Sequence, residues 1–168
     1  MNQGAGGVPH NQGAGGVPHN QGIRGTPSKA VRVSRHAARR RALEILYEAD
    51  LKDQPIPTVL AIHLEGEHSP PEFTLALVRG VHRHRPELDA LIERYARDWR
   101  LERMPVIDRN LLRMGLFEIF HRADVPNAVA IDEAIELAKE LSTDDSARFI
   151  NGVLARAAQP PHPPGVST

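Results

Sequence analysis

Apolar residues recur at intervals of three and four along most of the chain, which is the period of an α-helix. The first run covers residues 34–52, begins at a predicted N-cap, Ser34, and carries Ala38, Ala42, Ile45, Leu46 and Ala49 on one face. Similar runs predict further helices over 58–65, from Pro70, from Pro86, over 106–122, over 128–141 and after a cap at Ser142 or Thr143. Because no segment alternates as a strand does, the pattern predicts an all-α domain of about seven helices.

The run over 106–122 differs from the others because it is apolar nearly all round. Its apolar residues are Ile107, Leu111, Leu112, Met114, Leu116, Phe117, Ile119 and Phe120. A helix without a polar face is buried at the centre of a fold. Gly115 would weaken an exposed helix, so we expect it to let another helix approach closely.

Composition divides the chain into three regions. Residues 1–33 contain two copies of NQGAGGVPH and a degenerate third copy, and this density of Gly and Pro predicts disorder. Residues 34–158 carry the helical pattern and suffice for one modest core. The proline-rich residues 159–168 are predicted to be a second disordered tail.

The charge is balanced overall but uneven along the chain. There are 21 basic and 21 acidic residues, and the first acid, Glu44, follows seven cations: Arg24, Lys29, Arg32, Arg35, Arg39, Arg40 and Arg41. Guanidinium groups match phosphate oxygens, and cations in a first helical turn oppose the helix dipole, so the pattern favours an RNA-binding arm. The alternative is a solubilising helix start in which Arg40 pairs with Glu44.

Acidic residues gather near the C-terminus of the domain. The cluster consists of Asp132, Glu133, Glu136, Glu140, Asp144 and Asp145, with Lys139 as its single cation. Such a face is either solvated or a docking surface for a basic protein.

The sequence carries no pattern typical of catalysis or metal binding. The paired acids lack an accompanying nucleophile, glycine loop or histidine at diagnostic spacing. His82 and His84 stand two residues apart, so they diverge on a helix, and the chain has no cysteine. We therefore expect no enzymatic activity, no cofactor and no metal.

The chain also lacks the signals of membrane insertion or export. No apolar run approaches the roughly 18 residues that span a bilayer, and the N-terminus has no apolar signal region. A cytoplasmic protein without membrane contact is expected.

Aromatic residues are few. Phe73, Phe117 and Phe120 fall on apolar faces and are predicted to be core residues. Tyr47 and Phe149 lie near helix ends among polar residues, where they either pack in the core or stack on a base.

Three stretches carry a family resemblance. DRNLLRMGLFEIF (108–120) and DVPNAVAIDEAIELAKELSTDDSARFINGVL (124–154) resemble the NusB family of transcription antitermination factors, and RHAARRRALEILYEADL (35–51) resembles its arginine-rich first helix. The resemblance covers about 34–158, although 53–100 matches mostly in pattern.

The resemblance implies a non-catalytic protein of two small helical bundles. Members bind boxA RNA of ribosomal RNA leader transcripts with the ribosomal protein NusE, within the antitermination complex of RNA polymerase. Carried over by position, RNA binding falls to Arg35, Arg39, Arg40, Arg41, Tyr47, Asp145 and Phe149. NusE binding falls to Glu102 and Asp108. His36 and Ala37 stand where some members carry further arginines.

Two other functions stay open at this point. NusB-like domains also precede an rRNA cytosine methyltransferase, but that enzyme needs an α/β nucleotide-binding domain and a catalytic cysteine, which these 168 residues lack. A purely protein-binding scaffold is the second alternative. The pattern does not decide whether the chain forms a homodimer.

Overall fold

The computed structural model describes residues 29–97 and 99–159, with side chains from residue 35 onward. Within this part of the chain all regular structure is helical, which confirms the all-α prediction. The elements are α1 (Lys29–Leu51), α2 (Ile56–Glu65), α3 (Glu72–Ala96), a short 3₁₀ helix (Leu101–Arg103), α4 (Val106–His121), α5 (Asn127–Leu141) and α6 (Asp144–Ala157). None of the helices described is both long and apolar enough to cross a membrane.

Helix α1 begins earlier than predicted. It starts at Lys29, so Ser34 lies inside the helix and is not its N-cap, and residues 29–33 are helical rather than disordered. No Gly or Pro occurs between Lys29 and Ser34 to end the helix. The arginines from Arg35 onward therefore lie beyond the first turn, and the helix-dipole argument for an RNA-binding arm does not apply to them. The other residues predicted to be disordered, 1–28 and 160–168, lie outside the described residues.

Helix α3 merges two of the predicted helices. Pro86 lies inside this helix of 25 residues, although it has no N–H to donate to the carbonyl of His82. Val81 before the proline and Leu88 after it are both fully buried, so the core holds both halves in one helix. The domain consequently has six α-helices instead of seven.

Helix α4 occupies the centre of the fold, as predicted. Residues 111–118 are all buried, and α4 packs against α1, α3, α5 and α6. Gly115 permits one of these contacts, because a Cβ atom there would lie 2.7 Å from Leu154 Cδ1. Phe117 is buried, whereas Phe120 lies in the last turn beyond the buried stretch and is 45% exposed. The prediction that Phe120 is a core residue was wrong.

The six helices form two groups of three around one apolar core, which agrees with the expected pair of small bundles. Helices α1, α2 and α3 contact one another, and so do α4, α5 and α6. The groups meet where α4 packs against α1 and α3 and where α6 packs against α3.

Buried polar contacts also join the two groups. Asp50 of α1 accepts a hydrogen bond from Asn110 Nδ2 (2.9 Å), and its carboxylate lies 3.4 Å from Arg113, which also pairs with Asp89 (2.6 Å). Burial alone would raise the pKa of Asp50, but the Asn110 hydrogen bond and the neighbouring arginines outweigh it and lower this pKa. The carboxylate therefore stays charged inside the domain.

Candidate nucleic-acid interface

Arg39, which was predicted to contact phosphate, is buried. Its side chain is 3% exposed, and its Nε and Nη2 donate to the two carboxylate oxygens of Glu118 at 2.9 and 2.6 Å. Its Nη1 lies 3.6 Å from Glu133. RNA could reach this guanidinium group only by leaving the buried Glu118 without a partner, which is costly. The structure therefore places Arg39 in an internal ion pair rather than on the accessible surface of α1.

The other three arginines of this set are paired but accessible. Their side chains are 32%, 49% and 37% exposed for Arg35, Arg40 and Arg41. The ion pairs are Arg35–Asp124 (3.1 Å), Arg40–Glu140 (3.2 Å) and Arg41–Glu44 (3.1 Å). Exposed pairs of this kind contribute only about 0–1 kcal/mol, so a phosphate group can replace the carboxylate. We refer to these three accessible residues together as the α1 basic surface, although they pair with different parts of the fold.

Two glutamates of the acidic cluster, Glu133 and Glu140, contact α1. His36 lies between Glu133 (2.8 Å) and Glu140 (3.1 Å) of α5. Burial lowers the pKa of His36 and is the largest single influence, but the hydrogen bonds and charges of the two glutamates together raise this pKa above its ordinary value. Asp132 and Asp144 remain exposed and are available to a partner.

A cavity of about 450 Å³ opens at the N-terminus of α6. Thr143 caps this helix by accepting a hydrogen bond from the backbone N–H of Ser146 (3.1 Å), which confirms one of the two predicted caps. The rings of Trp99 and Phe149 lie 5.5 Å apart at an angle of 48°. The lining residues are Trp99, Arg103, Met104, Pro105, Asp108, Thr143, Asp145, Ser146 and Phe149, and we call this the α6 cavity. Its aromatic rings and exposed polar groups suit an unstacked base.

Asp108, which was predicted to contact NusE, is only 3% exposed. Its carboxylate accepts hydrogen bonds from Ser142 Oγ (2.8 Å) and Ser146 Oγ (2.6 Å). These bonds tie the start of α4 to the connection between α5 and α6. The structure thus places Asp108 inside the domain rather than on an exposed surface. Glu102, the other residue of this set, is exposed on the 3₁₀ helix.

The remaining predicted site residues are accessible to different degrees. The side chain of Asp145 is 90% exposed and pairs with Arg148 (2.7 Å), while Phe149 is half-buried. Tyr47 is 36% exposed and lies on α1, two turns beyond Arg40. The structure therefore brings Asp145 and Phe149 together in the α6 cavity and leaves Tyr47 on the surface of α1.

A short path of contacts connects the α1 basic surface to the α6 cavity. Arg40 pairs with Glu140 in the last turn of α5. Two residues later, Ser142 donates to Asp108, which lines the cavity. This path links Arg40, through the end of α5, to a buried residue in the wall of the cavity.

The sequence did not predict the residues that contact the predicted site from far away in the chain. Arg39 stands three residues before Ala42 and four before Leu43, both buried, so its helical position already placed it on the core face. Its partner Glu118 carried no such signal. Trp99 and Arg103 gave no sign of lining a cavity, because only the packing of α4 against α6 brings them beside Phe149.

Comparison with known proteins first defines the class. A Saccharopolyspora erythraea protein named transcription antitermination protein NusB is 51% identical over 128 residues, which are 74% of this chain and 86% of that one. A Salinispora arenicola protein of the same name is 48% identical over 130 residues, 75% of this chain and 96% of that one. Its relatives are thus transcription antitermination proteins.

Solved structures agree with this class. A crystal form of T. maritima NusB matches with a TM-score of 0.66 and 33% identity, covering 74% of this chain and 89% of that one. A chain in a crystal structure of the antitermination factors NusB and NusE with double-stranded RNA matches with a TM-score of 0.62 and 25% identity, covering 74% and 95%. The NusB family model matches residues 36–159. The chain belongs to the NusB family.

Proposed function

We propose that this chain is a non-catalytic transcription antitermination factor that binds boxA RNA of ribosomal RNA leader transcripts together with NusE. The observation that carries the proposal is the presence of both accessible arginines on α1 and an aromatic cavity at the start of α6, on a chain of the NusB family. Phosphate contacts position an RNA strand, and stacking and hydrogen bonds to single-stranded bases read its sequence. Acting within the antitermination complex of RNA polymerase, the protein would work in the cytoplasm.

The RNA contacts we propose are the exposed members of the original set. Arg35, Arg40 and Arg41 supply cations that exchange a surface carboxylate for a phosphate. Asp145 and Phe149 line the α6 cavity, and Trp99, which faces Phe149, is added to them.

The partner surface we propose consists of Glu102 and the exposed acids of the cluster. Asp132 and Asp144 are exposed on α5 and at the start of α6. A NusE subunit bound there would extend the RNA-binding surface, so RNA should bind modestly to this chain alone and more tightly to the pair. Support comes from the matched chain in a crystal structure that contains NusB, NusE and double-stranded RNA together.

A gel shift with boxA RNA and a scrambled RNA, with and without purified NusE, tests this function. We expect a boxA-specific shift that strengthens when NusE is added. A boxA affinity that does not change on addition of NusE would contradict the cooperative part of the proposal.

A pair of variants tests the α1 basic surface. The double variant Arg40→Ala/Arg41→Ala should lower the slope of log affinity against log salt by about 1.4, because each phosphate contact to a single strand contributes about 0.7. The matched control is Arg79→Ala/Arg83→Ala, which removes two exposed arginines from α3. The assignment fails if both double variants change the slope equally.

A purely protein-binding scaffold is the second candidate, and one observation favours it. Each of the four arginines of the original set contacts a carboxylate of the chain itself, as expected of a solubilising face. Binding of NusE without any shift of boxA RNA would select this alternative.

A further inference from the structure

Two histidines and one glutamate meet where α3 packs against the end of α4. His84 Nδ1 lies 3.1 Å from one carboxylate oxygen of Glu87, and His121 Nε2 lies 3.3 Å from the other. One ligand atom from each residue lies within 4.8 Å of the others. The two imidazole rings are stacked, with centroids 3.9 Å apart. The spacing of His82 and His84 predicts that these two side chains diverge on one helix. His121, in contrast, approaches His84 from α4.

We propose that His84, Glu87 and His121 bind a divalent transition-metal ion such as Zn²⁺. Two imidazoles and one carboxylate are a ligand set that Zn²⁺ accepts, and such a site leaves a further position to water. Mg²⁺ and Ca²⁺ prefer oxygen ligands and should not bind.

The surrounding structure holds the two helices at the separation this site needs. A side chain at Gly80 of α3 would overlap the Phe117 ring of α4, so the helices approach closely one turn before His84. The Phe117 ring lies 5.9 Å from that of His84 and 5.5 Å from that of His121. The backbone positions of both histidines are therefore set by core packing.

The ligand atoms can converge by movement of side chains alone. Ligand atoms around a tetrahedral Zn²⁺ ion lie about 3.4 Å apart, given Zn–N distances of about 2.0–2.1 Å. The two nitrogen–oxygen distances of 3.1 and 3.3 Å are already close to this spacing, and all three ligand atoms lie within 4.8 Å of one another. The rings must tilt out of their stack so that their lone pairs meet. The side chains are 29%, 26% and 49% exposed for His84, His121 and Glu87, so they have room to turn.

The position also favours a cation electrostatically. His121 is the last residue of α4, where the unpaired carbonyl groups of a helix carry partial negative charge. A bound ion would connect α3, which belongs to the first group of three helices, with α4, which belongs to the second. It would therefore stabilise the junction between the two groups.

Zn²⁺ titration by isothermal calorimetry and thermal unfolding tests the site. The full chain is used with His10→Ala, His19→Ala and His162→Ala in every sample, because these three histidines lie outside the described residues. We expect one Zn²⁺ per chain and a rise in the unfolding temperature. Addition of Mg²⁺ should give neither.

The variants His121→Ala and Glu87→Gln should each weaken Zn²⁺ binding at least about tenfold, since even residues that only support metal ligands cost this much when changed. The matched control His82→Ala removes an exposed histidine from the same helix and should bind Zn²⁺ as the parent does. Far-UV circular dichroism verifies that each variant is folded. Absence of Zn²⁺ binding by the parent, or equal binding by His121→Ala and the parent, would overturn the proposal.

Discussion

Substitution of Arg39 by alanine should mainly lower the stability of the domain, whereas the same substitution at the neighbouring Arg40 should mainly weaken RNA binding. Arg39→Ala removes the partner of Glu118, whose side chain is only 2% exposed. Leaving one member of a buried ion pair uncompensated costs about 3–5 kcal/mol. Arg40→Ala removes exposed pairs with Glu44 and Glu140, which contribute about 0–1 kcal/mol.

Equilibrium unfolding in urea, followed by circular dichroism, measures this difference. A loss of about 3–5 kcal/mol is a large share of the roughly 5–15 kcal/mol by which domains are stable, so the midpoint for Arg39→Ala should fall far below that of Arg40→Ala. Replacing the pair with apolar residues, as in Arg39→Met/Glu118→Leu, should recover part of the loss because no charge is then left buried.

For RNA binding the order of the two effects is reversed, so that Arg40→Ala has the larger one. At a temperature where both variants are folded, Arg40→Ala should reduce the salt dependence of RNA binding by about one phosphate contact, and Arg39→Ala should leave it unchanged. If Arg39→Ala is as stable as Arg40→Ala, or if it changes the salt dependence more, the assignment of a structural role to Arg39 is refuted.

Three further predictions concern the pH dependence, the packing and the α6 cavity. His36→Gln should lower the free energy of unfolding most below pH 6.5, because the raised pKa of His36 in the folded state stabilises the domain while the imidazole is charged; the difference from the parent should vanish as the pH rises through that raised pKa. Urea unfolding between pH 5 and pH 9 measures this difference, and a difference that grows with pH would contradict the prediction. Gly115→Ala should lower the free energy of unfolding by about 1–3 kcal/mol, because the new methyl group overlaps Leu154 of α6, whereas the control Gly152→Ala, whose nearest contact is at 3.5 Å, should raise it by about 0.5–1 kcal/mol. Thermal unfolding distinguishes the two variants, and equal shifts of the unfolding temperature would argue against the close packing at Gly115. Asp108→Ala should lower the free energy of unfolding by about 1–3 kcal/mol through the loss of two buried hydrogen bonds, whereas Asp145→Ala should leave it unchanged and weaken boxA binding. Urea unfolding and a gel shift with boxA RNA measure the two effects, and a larger loss of stability for Asp145→Ala than for Asp108→Ala would contradict the prediction.

Helical periodicity was enough to predict most of the elements. The central position of α4 followed from its apolar residues, and the close approach at Gly115 followed from a glycine in such a helix. Boundaries were less certain. The pattern predicts that Pro86 starts or kinks a helix, yet buried residues on both sides keep α3 continuous through it, which is an effect of packing that no local pattern reports.

The site was predictable in its composition but not in its accessibility. The arginines of α1 and the turn before α6 were identified from the sequence, and Arg40 pairs with Glu140 in the last turn of α5. Arg39 and Asp108 belong to the same stretches but are buried, because Glu118 and the serines at the start of α6 offer them internal partners. A charged residue's use depends on which groups it meets, and those lie far away in the chain.

The sequence by itself determined that the domain is helical, where its apolar faces lie, and that its cations and acids are segregated, since each of these follows from local periodicity and order. The tertiary structure decided which cations face solvent, which acids neutralise them, and that His84 meets His121. These outcomes depend on contacts between residues distant in the chain, and such contacts exist only once the helices have packed.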